Sequence, residues 1–343
     1  MLKSIHNLIS GVFTNPYAAL TALAFLLGSG CNNNLNLLAP YKDITVVYGL
    51  LDQNDTTHYI RINKAFEGSG NAYTMAQQYD SINYPIGTLS VVLQDFDIYG
   101  DPPVSIPLKT TMGIPVSSGI FSSPNQVEYY TKAALNPNDT YKLVITNVNT
   151  GKVITGSTTL LSDLAPSVGI SNAFPLSWVN EYPTKITWTT TPNGAIYQMT
   201  LRFFYTEKNG SNSVQHNIDW VFPPENNPSS INQAGQTLYY TYSGTGFLQF
   251  LKSSLQPAGA GVTRVADSIE MRFSTGSQDF QTYSNLTQPS LGVNQSKPSF
   301  TDLNNGIGIF SSRHTQVFNK VLSSTDMDSV TTDALTSNLG FLP

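Results

Sequence analysis

The sequence predicts an all-β protein built from two immunoglobulin-like, sandwich-type domains with a few short helices. Three observations predict it. Short runs of alternating or β-branched residues recur along the chain, separated by Asn, Asp, Gly and Pro clusters. The composition is aromatic-rich and charge-poor: 18 Tyr and 17 Phe, with only 11% charged residues, against roughly 25% in average soluble proteins. The polar remainder is mostly uncharged, as in exported β-proteins whose sheets are filled by aromatics.

The first strand is Ile44-Thr45-Val46-Val47-Tyr48, and a turn at Asp52-Gln53-Asn54-Asp55 makes a hairpin with the second. That second run, Thr57 to Asn63, alternates strictly. It places His58, Ile60 and Ile62 on one face and Tyr59, Arg61 and Asn63 on the other. Asn71 to Asp80 reads as a short helix in an insert. Strands follow at Leu89 to Leu93, Val127 to Tyr130, Tyr141 to Thr146 and Val153 to Leu160, with turns at Asn136-Pro137-Asn138-Asp139 and Asn149-Thr150-Gly151. Pro166 and Pro175 break the pattern between residues 162 and 176 and set a domain boundary there.

The second half repeats the pattern. Strands are expected at Lys185 to Thr190, Ala195 to Tyr205, Val214 to Phe222, Leu238 to Ser243 and Ser268 to Phe273. Helices are expected at Gly246 to Leu255, where Phe247, Phe250 and Leu251 share a face, and at Gln278 to Leu286. Gly306 to Phe310 precedes a last strand around Thr315 to Val321, and Ser324 to Asn338 reads as a closing helix with Ser324 or Thr325 as its N-cap.

The N-terminus reads as a secretory leader. Lys3 is followed by an uncharged run from Tyr17 to Leu27. That run is too short for a bilayer span of roughly 20 residues but fits a signal-peptide core of about 7–15. Gly28, Ser29 and Gly30 lead into Cys31, the only cysteine in the chain, which excludes an internal disulfide. An odd cysteine in an exported chain needs an explanation, and lipidation of Cys31 as the first mature residue supplies it. The match to a lipobox has Gly28 where an aliphatic residue is usual; the alternative is an ordinary leader with an incidental cysteine. The resulting division is 1–30 signal peptide, 31–40 lipidated tether, 41–162 N-terminal β-sandwich domain and 170–343 C-terminal β-rich domain. The net charge of −5, without a basic run, excludes nucleic acid as a partner.

The order of features resembles a family of Bacteroidota outer-membrane lipoproteins grouped only as a domain of unknown function. The residues that carry the resemblance are Cys31, Val46-Val47-Tyr48-Gly49-Leu50 with Tyr59-Ile60-Arg61-Ile62, Thr187-Trp188-Thr189 with Ile196-Tyr197, and Asn305-Gly306-Ile307-Gly308-Ile309-Phe310. The resemblance implies two β-rich domains, an outer-membrane lipid anchor and no established catalysis. Asn32 to Asn36 carries no acid, so it does not decide whether the protein faces the periplasm or the cell surface.

Candidate chemistry is sparse. His58, His216 and His314 are far apart and form no metal-ligand spacing; each is expected to be a strand or loop residue. No G-x-S-x-G elbow is present. Asp95, Asp97 and Asp101 offer oxygen ligands for calcium but lack the distal glutamate of an EF-hand, so a solvated turn is the competing reading. Trp178, Trp188, Trp220, Tyr130 and Tyr240 are candidates for ligand-binding platforms, weighed against ordinary core roles. Asp-Ser/Thr sequences at Thr56, Ser81, Ser268 and Ser329 look like O-glycosylation acceptors. The sequence therefore points to a non-enzymatic envelope lipoprotein, an accessory or binding subunit partnering an outer-membrane or other envelope protein. It requires no cofactor. The alternatives are a glycan-binding lipoprotein of a nutrient-uptake system and a hydrolase with an unrecognised site.

Overall fold

Strand periodicity in the first half is met by β1 (Thr45–Leu51) and β2 (His58–Lys64), whose alternate residues are buried. The computed structural model describes residues 44–65, 71–114, 126–164, 183–229, 233–287 and 299–342. The expected leader, Cys31, the tether and Trp178 lie outside them. The insert folds as two short helices, α1 (Ala72–Ala76) and α2 (Tyr79–Ile82), rather than one. Then come β3 (Leu89–Phe96), β4 (Val104–Pro107), β5 (Lys109–Thr111), β6 (Glu128–Thr131), β7 (Thr140–Asn147) and β8 (Val153–Thr159).

The second half comprises β9 (Thr184–Thr189), β10 (Gly194–Asn209), β11 (Asn212–Val221), β12 (Glu225–Asn226) and β13 (Thr237–Tyr242). After these follow α3 (Gly244–Ser254), β14 (Val262–Ser277), α4 (Gln278–Thr287), β15 (Gly306–Val321), α5 (Ser324–Thr332) and β16 (Phe341–Leu342). Strands dominate, as the all-β reading expects. β14 extends well beyond the expected Ser268 to Phe273, β12 and β16 are short additions, and two further differences have a local cause. β15 is one continuous strand of 16 residues, because Ser311 and Ser312 are buried in it rather than turning it. α5 is capped by Ser323, not Ser324 or Thr325. Ser323 and Asp326 exchange side-chain and backbone hydrogen bonds as a capping box, and the helix stops at Thr332.

One long sheet backs the molecule, in the order β11-β10-β14-β15-β1-β2-β6-β5. Its inner face is covered twice. Over β1, β2 and β6 lies the four-stranded sheet β4-β3-β7-β8, and the core between them holds Val47, Ile60, Ile62, Leu93, Leu143, Ile154 and Phe310. Over β10 and β14 lie the β13-β9 pair and α3, enclosing Trp188, Tyr197, Phe203, Phe247 and Phe273. The chain passes from one core to the other between Leu160 and Leu164. Residues 43–343 form one compact unit, with the backing sheet common to both cores.

The join is the parallel pairing of β1 with β15, Thr45 opposite Gly306 through Leu51 opposite Ser312. Three glycines permit it. Gly308 has a φ of +109°, and a Cβ there would strike the Val47 carbonyl oxygen. Phe310 lies between Gly49 and Gly156, where added Cβ atoms would stand 3.0 Å and 3.1 Å from its side chain. A buried phenylalanine contributes about 1.5–3 kcal/mol, and this one does so because both neighbours lack side chains.

Gly308→Ala is expected to lose about 3 kcal/mol or more of unfolding free energy in urea. Gly87→Ala shares the positive φ (+88°) but meets no atom within 4 Å, and is expected to lose about 1 kcal/mol. Equal losses would mean that the close approach of β1 does not set the cost.

Candidate functional site

β15 turns Phe310, Ser312, His314 and Gln316 toward the inner face, and His314 arrives at the seam between the two cores. Its Nδ1 lies 2.9 Å from Asp52 Oδ1 and its Nε2 lies 2.7 Å from Asp163 Oδ1. Asp52, just after β1, also accepts hydrogen bonds from the backbone N–H of Asn54 and of Thr315. Asp163 sits in the segment that crosses between the cores, and the Leu164 N–H next to it donates to Gln316 Oε1 at 3.0 Å. The imidazole is only 1% exposed.

Both ring nitrogens face carboxylate oxygens, so only the imidazolium can donate to both. Burial pulls the His314 pKa down, but the hydrogen bonds to Asp52 and Asp163 outweigh it and the net displacement is upward. Burial likewise raises Asp52. The His314 hydrogen bond and the Asn54 and Thr315 N–H groups more than reverse that and hold it below its ordinary value. An Asp–His pair is also the base half of a hydrolytic triad. Here Nε2, which would serve a nucleophile, meets Asp163 instead. The cluster ties the β1 turn, β15 and the crossing segment together.

The opposite, outer face of the same strands is open. Val46, Tyr48 and Ile307 form a floor shared by two adjoining cavities of about 360 and 480 Å³. On one side the wall is Arg61, Asn63, Lys64, Ile82 and Gln126; on the other it is α4, through Tyr283 and Leu286. Tyr48 and Ile307 are 44% and 45% exposed. Tyr48 meets Tyr283 edge-on at 6.4 Å between centroids.

Strand register extends this face sideways. Tyr48 stands opposite Arg61, and Arg61 opposite Glu128. Arg61 Nε donates to Glu128 Oε1 at 2.7 Å. One step along, Tyr59 stands opposite Tyr130, their rings 6.1 Å apart, and Tyr130 stands opposite Lys109. Tyr48, Tyr59 and Tyr130 thus share one face with an ion pair between them. An apolar floor with a few placed polar groups is the usual form of a binding site.

The aromatic candidates divide. Tyr130 lies on this outer face. Trp188 and Tyr240 do not serve as platforms: both are buried and stack on each other at 4.8 Å in the C-terminal core. Alternation turns Tyr239 outward instead, where Lys185 Nζ lies 4.0 Å from its ring centroid. Trp220 is half-buried against Phe222, Phe247 and Phe250. Asp95, Asp97 and Asp101, weighed as calcium ligands against a solvated turn, lie where the chain makes such a turn. Asp97 Oδ1 accepts from the N–H groups of Tyr99, Gly100 and Asp101, closing an exposed turn. Among the described residues no group of three or more His, Cys, Asp or Glu is arranged to hold a metal ion.

Thr56 is exposed in the β1–β2 turn. Ser81 is half-buried in α2, Ser268 stands mid-strand in β14 between Phe204 and Val321, and Ser329 donates to Thr325 O within α5. Tyr283 was not singled out by the sequence, Tyr48 and Ile307 entered only as residues of the resemblance, and His314 was read as a strand or loop residue without its partners Asp52 and Asp163. The only signal was the Tyr59/Arg61/Asn63 face, which had no partner strand to give it meaning.

His314 sets a pH dependence. Its folded pKa is raised, so its contribution is complete below its ordinary value of 6.5 and is lost as pH rises through the folded value. Asp52, lowered from 3.8, contributes above that value and loses it as pH falls through the folded one. The stability gap between wild type and His314→Gln is expected to be about 1.5–3 kcal/mol near pH 5–6 and to shrink toward pH 9. Urea titrations at several pH values check it; a gap that grows with pH would contradict the assignment. No protein-family model and no curated protein matches this chain.

Proposed function

We propose that this chain is a non-enzymatic binding protein of the bacterial envelope, held at the outer membrane by a lipid on Cys31. It seats an outer-membrane or other envelope protein against the outer face of its long sheet. The observation that carries this is the exposed floor of Val46, Tyr48 and Ile307 in the middle of a sheet. Such a floor stays wet unless a partner covers it. The leader-like run ending at Cys31 supports the anchor. Among the described residues no helix is long and apolar enough to cross a membrane.

A second reading, glycan binding, is favoured by one specific observation. Tyr48, Tyr59 and Tyr130 lie on one face around the Arg61–Glu128 pair, and aromatic faces beside hydrogen-bonding groups suit sugar rings.

Photo-crosslinking from position 48 in intact cells distinguishes the two. A single protein adduct supports the first reading. A protein that instead binds oligosaccharide, with loss in Tyr48→Ala and Tyr59→Ala, supports the second. Ile307→Ser is expected to weaken a protein partner at least tenfold, about 1.4 kcal/mol, with the unfolding midpoint little changed because the side chain is exposed. Unchanged affinity would move the site off this face. Cys31→Ser is expected to release the protein from the membrane fraction, and retention there would contradict the anchor.

A further inference from the structure

Besides the groove, α4 lines a second cavity on the outer face of the long sheet, over β10, β14 and β15. Strand alternation sets two rows of outward side chains there. Register places Gln198 of β10, Ser274 of β14 and Thr315 of β15 in one row, and Ile196, Gly276 and Arg313 in the next. A Cβ at Gly276 would collide with the Phe280 ring and the Ile196 side chain, so the glycine lets α4 lay Phe280 down on the sheet. These residues line a cavity of about 320 Å³.

The lining joins three kinds of group. Arg313 is the only charged side chain among the described residues that line the cavity. Its ion pair with Asp55 spans 3.8 Å between side chains that are 50% and 40% exposed, and a pair so exposed contributes little. The guanidinium therefore keeps donors for a carboxylate, which it meets best as a planar fork. The Ser274 and Thr315 hydroxyls lie 3.2 Å apart, and each can donate or accept. Gln198 Nε2 donates to Phe222 O at 3.1 Å, which fixes the amide and leaves Oε1 to accept from a ligand. Phe280 supplies half-buried aromatic surface beside them. The volume lies at the lower end of the range for small-molecule pockets.

We propose that this cavity binds an acidic sugar, a hydroxylated ring carrying one carboxylate, as in a uronic acid residue. The carboxylate pairs with Arg313, the ring hydroxyls with Ser274, Thr315 and Gln198, and the C–H face of the ring packs on Phe280. Each part of the lining selects against a simpler ligand. A neutral sugar leaves Arg313 with nothing better than its exposed pair to Asp55. A simple carboxylate leaves the row of hydroxyl and amide groups unused. An apolar ligand desolvates all of them without replacing their hydrogen bonds. The site is separate from the groove and rests on neither reading of it.

The test titrates the full chain with D-glucuronate, followed by calorimetry and ligand-observed NMR. A dissociation constant on the order of 1 mM is expected for a ligand this small. D-glucose, which lacks the carboxylate, and acetate, which lacks the hydroxyls, are each expected to bind at least tenfold more weakly. Arg313→Gln should weaken glucuronate at least tenfold and Ser274→Ala several-fold. Both side chains are exposed, so the unfolding midpoint should hardly move. Asp55→Asn should bind no more weakly than wild type, since it removes the competitor for Arg313. Absence of glucuronate binding overturns the proposal, as does glucose binding equally well or wild-type affinity in Arg313→Gln. Acetate binding as tightly as glucuronate reduces the cavity to a carboxylate site and overturns the sugar. The three ligands compared on the wild type decide the matter even if Arg313→Gln fails to fold.

Discussion

The parallel pairing of β1 with β15 is the constraint on which the rest of the structure depends. It places the chain's first described strand beside its last long one, Val46 opposite Ile307 and Tyr48 opposite Ile309. With it, β1, β2, β6 and β5 continue the sheet begun by β11, β10, β14 and β15. Without it the two cores would have no common wall. The pairing is sterically demanding. Gly308 must adopt a positive φ against the Val47 carbonyl, and Phe310 must lie against Gly49 and Gly156. The glycines of three distant segments are thus parts of one contact.

Both faces of this seam follow from the same register. On the inner face, Asp52 leaves β1 where His314 passes on β15, although the two are 262 positions apart. Asp163 then fastens the crossing segment to the pair. A charge-poor chain places a buried Asp52–His314 pair, with the more exposed Asp163 on its outer side, where three chain segments meet. Breaking such a cluster from one side costs far more than the pair contributes net, because a charge is left buried. On the outer face, the pairing sets Val46 and Ile307 side by side as the groove floor, and α4 supplies the far wall. Seam and groove are back to back on two strands, so a change that loosens the join also disturbs the site.

Much of the fold is legible in the sequence, and the limits have physical causes. Strands with one buried face, such as β2 and β7, declare themselves by alternation, and Tyr59, Arg61 and Asn63 are correctly set opposite His58, Ile60 and Ile62. The helix cap shifts by one residue because Ser323, Ser324 and Thr325 are chemically equivalent as caps until Asp326 selects one. Parallel partners leave no local trace. Nothing near Val46 or Ile307 announces a partner across the chain, so the floor of the groove is invisible before folding. Aromatic type does not report exposure either. Trp188 and Tyr240 fill a core, whereas Tyr48 and Tyr59 lie open, and only the tertiary pairing decides which.

The most direct test is native-state hydrogen exchange of the β1 and β15 amides against those of β14 and β7, across increasing urea. If the pairing makes one cooperative unit, amides in all four strands exchange through the same global opening, with one free energy and one urea slope. If β1 and β7 open together at a lower free energy than β14, the two cores are separable. The account of a single sheet holding seam and groove would then be contradicted.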